Sequence, residues 1–92
     1  MLILSQDKDK ILNFNNIIQV YVNKYANEYP DISCDTLNEL NINLGDYKTE
    51  ERAKEVLQEI IKKYNEYGEI ASPKIGIINI VTLPKVYKMP EK

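Results

Sequence analysis

The feature that most limits what this chain can form is an amphipathic helix pattern near its middle. It follows the turn in LGDYKTEERAKEVLQEI, residues 44–60, where Thr49 can cap the first free N–H groups of a helix. Apolar residues then recur at helical spacing and predict one buried stripe: Ala53, Val56, Leu57, Ile60, Ile61 and Tyr64. Gly68 is the natural stop, so the helix is predicted over about residues 50–67. Because isolated helices are marginal in water, this stripe needs an apolar partner.

The first half of the chain supplies that partner as a series of short strands. Strand patterns are predicted at residues 2–5, 10–14, 16–25, 29–37 and 39–47. The last strand has the clearest alternation, with Leu40, Ile42 and Leu44 facing inward between polar residues. This alternation is typical of an antiparallel sheet with one face in water.

Two other strands carry predictions about which side chains face the core. In the third strand, Ile18, Val20 and Val22 fall on the apolar face, whereas Ile17 falls on the other. In the fourth strand, two apolar side chains, Ile32 and Cys34, alternate with polar ones: Asp31, Ser33 and Asp35.

These patterns predict an α+β fold. We expect a curled antiparallel sheet of five or six short strands, with one long helix from the second half of the chain packed on its apolar face. Ninety-two residues is the size of one domain, so a single domain is expected over residues 1–92. The sheet would lie in 1–47, the helix at about 50–67, and a connector and the last strands in 68–90. Burial of the large stripe residues, at roughly 1.5–3 kcal/mol each, would hold the two layers together.

The composition argues against most catalytic and metal chemistry. The chain has no histidine, which removes Ser-His-Asp and Cys-His arrangements and His-containing metal sites. The single cysteine, Cys34, is expected to be a small buried side chain rather than a nucleophile. Solvated charge is predicted for the carboxylate pairs: Asp7 with Asp9, Asp31 with Asp35, and Glu50 with Glu51. We therefore predict no catalytic, cofactor-binding or metal site, and a protein that is not an enzyme.

Charge and cysteine content bear on partners and location. The formal net charge is -2, without the clustered basic surface that nucleic-acid binding requires, so nucleic acid is a disfavoured partner. A single cysteine cannot form a disulfide within the chain, which fits a reducing compartment. The opening MLILSQDKDK lacks a signal pattern, and no apolar stretch approaches the roughly 18 residues that span a bilayer. We expect a cytoplasmic protein with no membrane contact.

The most apolar segment of the second half is IGIINIVTL, residues 75–83. It is longer and more apolar than a loop requires. Three interpretations stay open: a strand covered by the domain's own core, a segment that binds a partner or a second copy, and a mobile insert. Its candidate interaction surface consists of Ile75, Ile77, Ile78, Ile80, Val81 and Leu83. Self-association through an edge strand here would give a homodimer.

Three stretches also carry a resemblance: ILSQDKDKILNFNNI, then LGDYKTEERAKEVLQEI, then the closing VYKMP. Together they resemble a family of small uncharacterised proteins of low-GC Gram-positive bacteria, often encoded among prophage or mobile-element genes. The resemblance implies an N-terminal hairpin, a strand–turn–helix unit and a final strand. It implies no activity and no functional residues.

The function predicted from these features is that of a non-enzymatic cytosolic binding or accessory module. It would act through contacts with an unidentified protein partner or with itself. The alternative is a nucleic-acid-associated regulator of a prophage or mobile element. That regulator would use the lysine-bearing C-terminal tail: Lys74, Lys85, Lys88 and Lys92.

Overall fold

The computed structural model describes residues 1–71 and 85–92, and this part of the chain has the predicted α+β architecture. It contains one α-helix, α1 (Glu50–Ala71), and a short 3-10 turn (Phe14–Asn16). The strands are β1 (Leu2–Leu4), β2 (Ile11–Asn13), β3 (Ile17–Asn23), β4 (Asp31–Thr36), β5 (Ile42–Asp46) and β6 (Val86–Lys88).

The strands form two three-stranded sheets rather than the single sheet that was predicted. The first sheet has the order β2-β1-β6, with β1 antiparallel to β2 and parallel to β6. The second sheet has the order β3-β4-β5 and is antiparallel throughout. Parallel neighbours need a long crossover, and here the second sheet and the helix lie between β1 and β6 in the chain. The two ends of the chain therefore lie side by side.

Gln6, just after β1, connects the two sheets. Its backbone N–H donates to the carbonyl of Leu44 at 2.8 Å. Its side chain both donates to the backbone oxygen of Asp46 and accepts from that residue's N–H, each at 2.9 Å. A Cβ on Gly45 would lie 3.1 Å from Gln6 Cβ and 3.0 Å from Tyr47 Oη. Gly45 therefore permits a close approach of Gln6 and Tyr47 to β5.

One apolar core lies between the sheets and α1, which packs on β3 and β4. Its buried members are Ile3, Ile32, Cys34, Ile42, Leu44, Tyr47, Ala53, Val56, Ile60, Tyr87 and Met89. The predicted burial of Cys34 is confirmed. Helix α1 contacts two strands of the β3–β4–β5 sheet, which has three strands rather than the five or six predicted.

Helix α1 begins where the sequence predicts and ends later. The backbone N–H of Arg52 donates to Thr49 Oγ1 at 3.1 Å, which confirms the predicted cap. The predicted stop at Gly68 is wrong, because α1 continues to Ala71. A glycine inside a helix costs only about 1 kcal/mol relative to alanine, so one glycine does not by itself end a helix.

The facing predicted for the first residues of β3 is wrong. The register against β4 shifts between Ile17 and Gln19, which leaves Ile18 without a partner on β4. A bulge moves one residue out of the alternation. As a result, Ile17 packs against the core while Ile18 is 60% exposed. Val20 and Val22 lie beyond the bulge and pack against the core as predicted.

Leu40 was predicted to face inward with Ile42 and Leu44, but it is 71% exposed. The reason is local, because β5 begins only at Ile42. The residue between, Asn41, has a φ of 57°, a left-handed conformation that interrupts the alternation. Ile42 and Leu44 are buried, as predicted.

Candidate functional site

Helix α1 carries two parallel apolar rows, and only one of them is covered. The covered row is Ala53, Val56 and Ile60. The second row begins with Leu57, which is half-buried, and continues with Ile61 and Tyr64, which are 50% and 44% exposed. Because residues three and four apart align along a helix, this row runs along one margin of α1. The predicted stripe is thus wider than the surface that covers it.

The second row borders a groove of about 290 Å³ beside β3. The groove is lined by Phe14, Ile17, Ile18, Gln19, Val20, Leu57, Ile60 and Ile61. Phe14 also contacts Tyr64, with 4.9 Å between the ring centroids. We call this feature the β3 groove; of the described residues that line it, all but Gln19 have apolar side chains.

β3 is an outer strand of its sheet. Among the described residues its only strand partner is β4, so one row of its backbone N–H and C=O groups points away from the sheet. Proteins usually protect such an edge with charge, proline or irregular backbone. The regular part of β3, Gln19–Asn23, has no charged residue, proline or glycine. In the described part of the chain, the β3 groove therefore lies beside a strand edge that carries none of these protective features.

Exposed apolar side chains also occur beyond the β3 groove, in a hollow of mixed polar and apolar lining. A second hollow of about 670 Å³ shares Ile17 and Ile18 with it. Ile11 and Leu37 line this hollow and are 65% and 88% exposed. Exposed apolar side chains thus continue from α1 across the start of β3 to Leu37, although half of the residues that line this hollow are polar: Asn13, Asn15, Asn16, Thr36 and Asn38.

The opposite face of the β3–β4–β5 sheet is polar. Asp31, Ser33 and Asp35 on the central strand are 8%, 1% and 9% exposed, so the prediction that this carboxylate pair is solvated is wrong. Side chains from the two neighbouring strands and loops cover them. Only the burial of β4 on both faces, which depends on tertiary pairing, could have revealed this.

Asp35 is the centre of the polar face. Its Oδ1 accepts hydrogen bonds from Tyr21 Oη and from the Asn41 N–H, both at 2.7 Å, and its Oδ2 accepts one from Gln19 Nε2 at 2.7 Å. These bonds, led by that of the Asn41 N–H, hold the pKa of Asp35 below its ordinary value. The bond to Asp35 in turn raises the pKa of Tyr21 to about 12. The carboxylate is therefore ionised at neutral pH and joins β3 to β4.

Asp31 is satisfied in the same way. It accepts hydrogen bonds from Asn23 Nδ2 at 2.9 Å, Ser33 Oγ at 3.0 Å and Tyr25 Oη at 3.1 Å. In residues 1–71 and 85–92, no buried side-chain nitrogen or oxygen is left without a partner. In that same part, no three Cys, Asp or Glu side chains are grouped to hold a metal ion. The polar face is a structural network whose bonds are already made.

Members of the other two carboxylate pairs have polar partners nearby, and the Cys34 thiol is buried. The hydrogen bond from Ser5 Oγ lowers the pKa of exposed Asp7 to about 2. Glu50 contacts Lys24 at 3.1 Å and Lys54 at 2.8 Å. Burial, followed by the neighbouring carboxylates, raises the pKa of the Cys34 thiol to about 11, which disfavours the reactive thiolate.

The interaction surface named from the sequence lies outside the described residues: Ile75, Ile77, Ile78, Ile80, Val81 and Leu83. Lys74 lies outside them as well. Of the other tail lysines, Lys85, Lys88 and Lys92 are exposed. The backbone oxygen of Lys92 accepts a hydrogen bond from Arg52 Nε at 3.0 Å.

Comparisons with other proteins add nothing to this geometry. No protein family, curated protein or solved structure matches the chain. In the part of the chain that is described, no helix has both the length and the apolar character that crossing a membrane requires. The β3 groove and the open edge beside it must be interpreted from their own chemistry.

Proposed function

We propose that this protein is a non-enzymatic binding module that docks an extended strand of a partner protein on the open edge of β3. The observation that carries the proposal is that this edge lies beside the apolar β3 groove. In strand addition, main-chain hydrogen bonds supply affinity, and pockets for alternate side chains supply specificity. The edge of β3 provides the main-chain hydrogen-bonding groups, and the β3 groove provides a pocket for side chains.

The two faces of the sheet define which strand would fit. Side chains on one face of the added strand would lie beside Val20, Leu57 and Ile61, in the β3 groove. Side chains on its other face would lie beside Gln19 and Tyr21, on the polar face. The partner strand should therefore alternate between apolar and polar residues.

The site is held in place before a partner arrives. Gln19 and Tyr21 are tied to Asp35 on β4, so β3 is anchored by side chains as well as by the ladder. Fixing a binding strand in advance lowers the conformational entropy that docking must overcome. An edge held in this way favours recognition of a strand over a general apolar contact.

The test places a photoreactive amino acid at Ile61, which lines the β3 groove. The matched control places it at Glu55, an exposed position on another face of α1. On irradiation in cells of the native host, we expect protein adducts from position 61 and none from position 55. A second substitution, Ile18→Lys, changes an exposed groove residue and should reduce the adducts while leaving the circular dichroism spectrum unchanged. Equal adducts from both positions, or adducts insensitive to Ile18→Lys, would contradict the proposal.

A further inference from the structure

We infer that the strand docked on β3 is the β3 strand of a second copy of this chain, paired antiparallel about a two-fold axis at Tyr21. The inference rests on the proposed function, because it names the occupant of the same edge. The resulting sheet would have six strands, in the order β5-β4-β3-β3-β4-β5.

The regular part of β3 is complementary to itself. With the axis at Tyr21, Val20 of one copy lies opposite Val22 of the other, and Gln19 lies opposite Asn23. Directly opposed residues share a face of an antiparallel sheet. Apolar side chains thus meet on the helix side and polar side chains meet on the other, and no charge lies within the pairing.

Such a pairing would cover the second apolar row of α1. A two-fold axis perpendicular to the sheet places both helices on the same face. Leu57, Ile61 and Tyr64 of each copy lie along the margin of α1 that borders the β3 groove, toward the incoming strand. The valines of that strand would then cover side chains that are half exposed in the single chain.

The same geometry explains why assembly would stop at two copies. The other outer strand of this sheet, β5, is already bonded to Gln6. An isologous contact uses the same surface on both copies, so pairing through β3 consumes both open edges. The product is a closed dimer and not a filament.

The first experiment measures mass and amide exchange over a concentration series. Sedimentation equilibrium should show a shift from the mass of one chain to twice that mass. Hydrogen exchange should show protection that rises with concentration at amides of Gln19–Asn23. A single-chain mass at every concentration up to about 1 mM, or a dimer whose β3 amides gain no protection, would overturn the inference.

The second experiment uses the charge at the ends of the pairing. Ile18 and Lys24 flank the regular stretch at equal distance from Tyr21, so Ile18 of one copy approaches Lys24 of the other. Ile18→Lys sets like charges opposite each other at both ends and should weaken the dimer by roughly threefold to thirtyfold. Ile18→Glu sets opposite charges there and should dimerise more tightly than the lysine variant. Since the chain is already negative, a general charge effect would give the reverse order.

Leu40→Lys is the matched control for these variants. Leu40 is more exposed than Ile18 and does not line the β3 groove, so this change should leave the dimer unaffected. Equal dissociation constants for the lysine and glutamate variants, or an equal loss with Leu40→Lys, would overturn the inference. A single chain whose position 61 still forms adducts with a different protein would overturn the dimer and leave the proposed function standing. A single chain with no adducts would overturn both.

Discussion

The two edges of the β3–β4–β5 sheet differ in what lies beside them. At β5, the side-chain amide of Gln6 donates to the backbone oxygens of Pro90 and Glu91 as well as bonding to Asp46, and Tyr47 Oη donates to Pro90 at 2.9 Å. At β3, the described residues provide no strand beyond the edge. Within residues 1–71 and 85–92, one edge is closed by both ends of the chain, and the other has no strand paired to it.

This difference between the two edges distinguishes contacts that stabilise the fold from a surface available for association. The closed edge joins segments that are far apart in the sequence, and such contacts define the fold. The open edge has an apolar groove beside it, and two of the side chains that line this groove, Ile18 and Ile61, are 60% and 50% exposed. We therefore expect substitutions at the closed edge to act on stability, and substitutions at the open edge to act on association.

The largest effect should come from Leu44→Ala in β5. Leu44 is 1% exposed in the core, so removing its side chain should lower the free energy of unfolding by about 2–5 kcal/mol. The matched change at the open edge, Ile18→Ala, should cost less than about 0.5 kcal/mol. Denaturant titrations at low protein concentration compare the two. Equal losses would show that both edges belong to the fold, and the comparison would fail.

The next effect should come from Gln6→Ala. Its side chain makes hydrogen bonds to three backbone oxygens and accepts one from the Asp46 N–H, so its loss should destabilise the protein by about 1–3 kcal/mol. The control is Gln58→Ala on the exposed face of α1, which should be neutral or slightly stabilising because alanine favours helices. If Gln6→Ala is also neutral, the contacts to Pro90 and Glu91 do not close this edge.

The sequence predicts the features that depend on neighbouring residues. Thr49 and the stripe from Ala53 to Tyr64 predict the start of α1 and its buried row, since capping and helical spacing are local. Alternation predicts the burial of Ile42 and Leu44 for the same reason. The α+β class follows from these patterns without any knowledge of pairing.

The features that the sequence does not reveal depend on distant partners. Nothing near Gln6 indicates that its amide bonds to residues about 40 and 85 positions away. The bulge at Ile18 is visible only in the register against β4. Asp35 is interpreted from the sequence as a solvated acid because its donors come from β3 and from Asn41 at the end of the β4–β5 turn. One sequence feature does indicate the β3 groove: the apolar stripe of the helix is too wide to be covered by a small sheet.

Asp35 gives a pH-dependent test of how the open strand is held. Its folded pKa lies below that of the unfolded chain, so its contribution to stability is present above the unfolded pKa and is lost as pH falls through the folded pKa. Asp35→Asn cannot titrate, so its unfolding free energy should change less between about pH 5 and about pH 3 than that of the unsubstituted protein. Denaturant titrations at the two pH values measure the difference. An identical pH dependence would show that Asp35 does not anchor β3.

The smallest effect should come from Ile61→Ser. Ile61 is half exposed and serine has a similar helix propensity, so at low concentration the free energy of unfolding should change by less than about 0.5 kcal/mol. The neighbouring residue Ile60 belongs to the covered row, so Ile60→Ala should lower the free energy of unfolding by about 2–5 kcal/mol. If the two losses are alike, the second row belongs to the core and the β3 groove is no docking surface.

If the β3 dimer forms, raising the protein concentration stabilises the unsubstituted protein by mass action and stabilises Ile61→Ser less. The gap between them should then widen with concentration, which no contact within a single chain can produce.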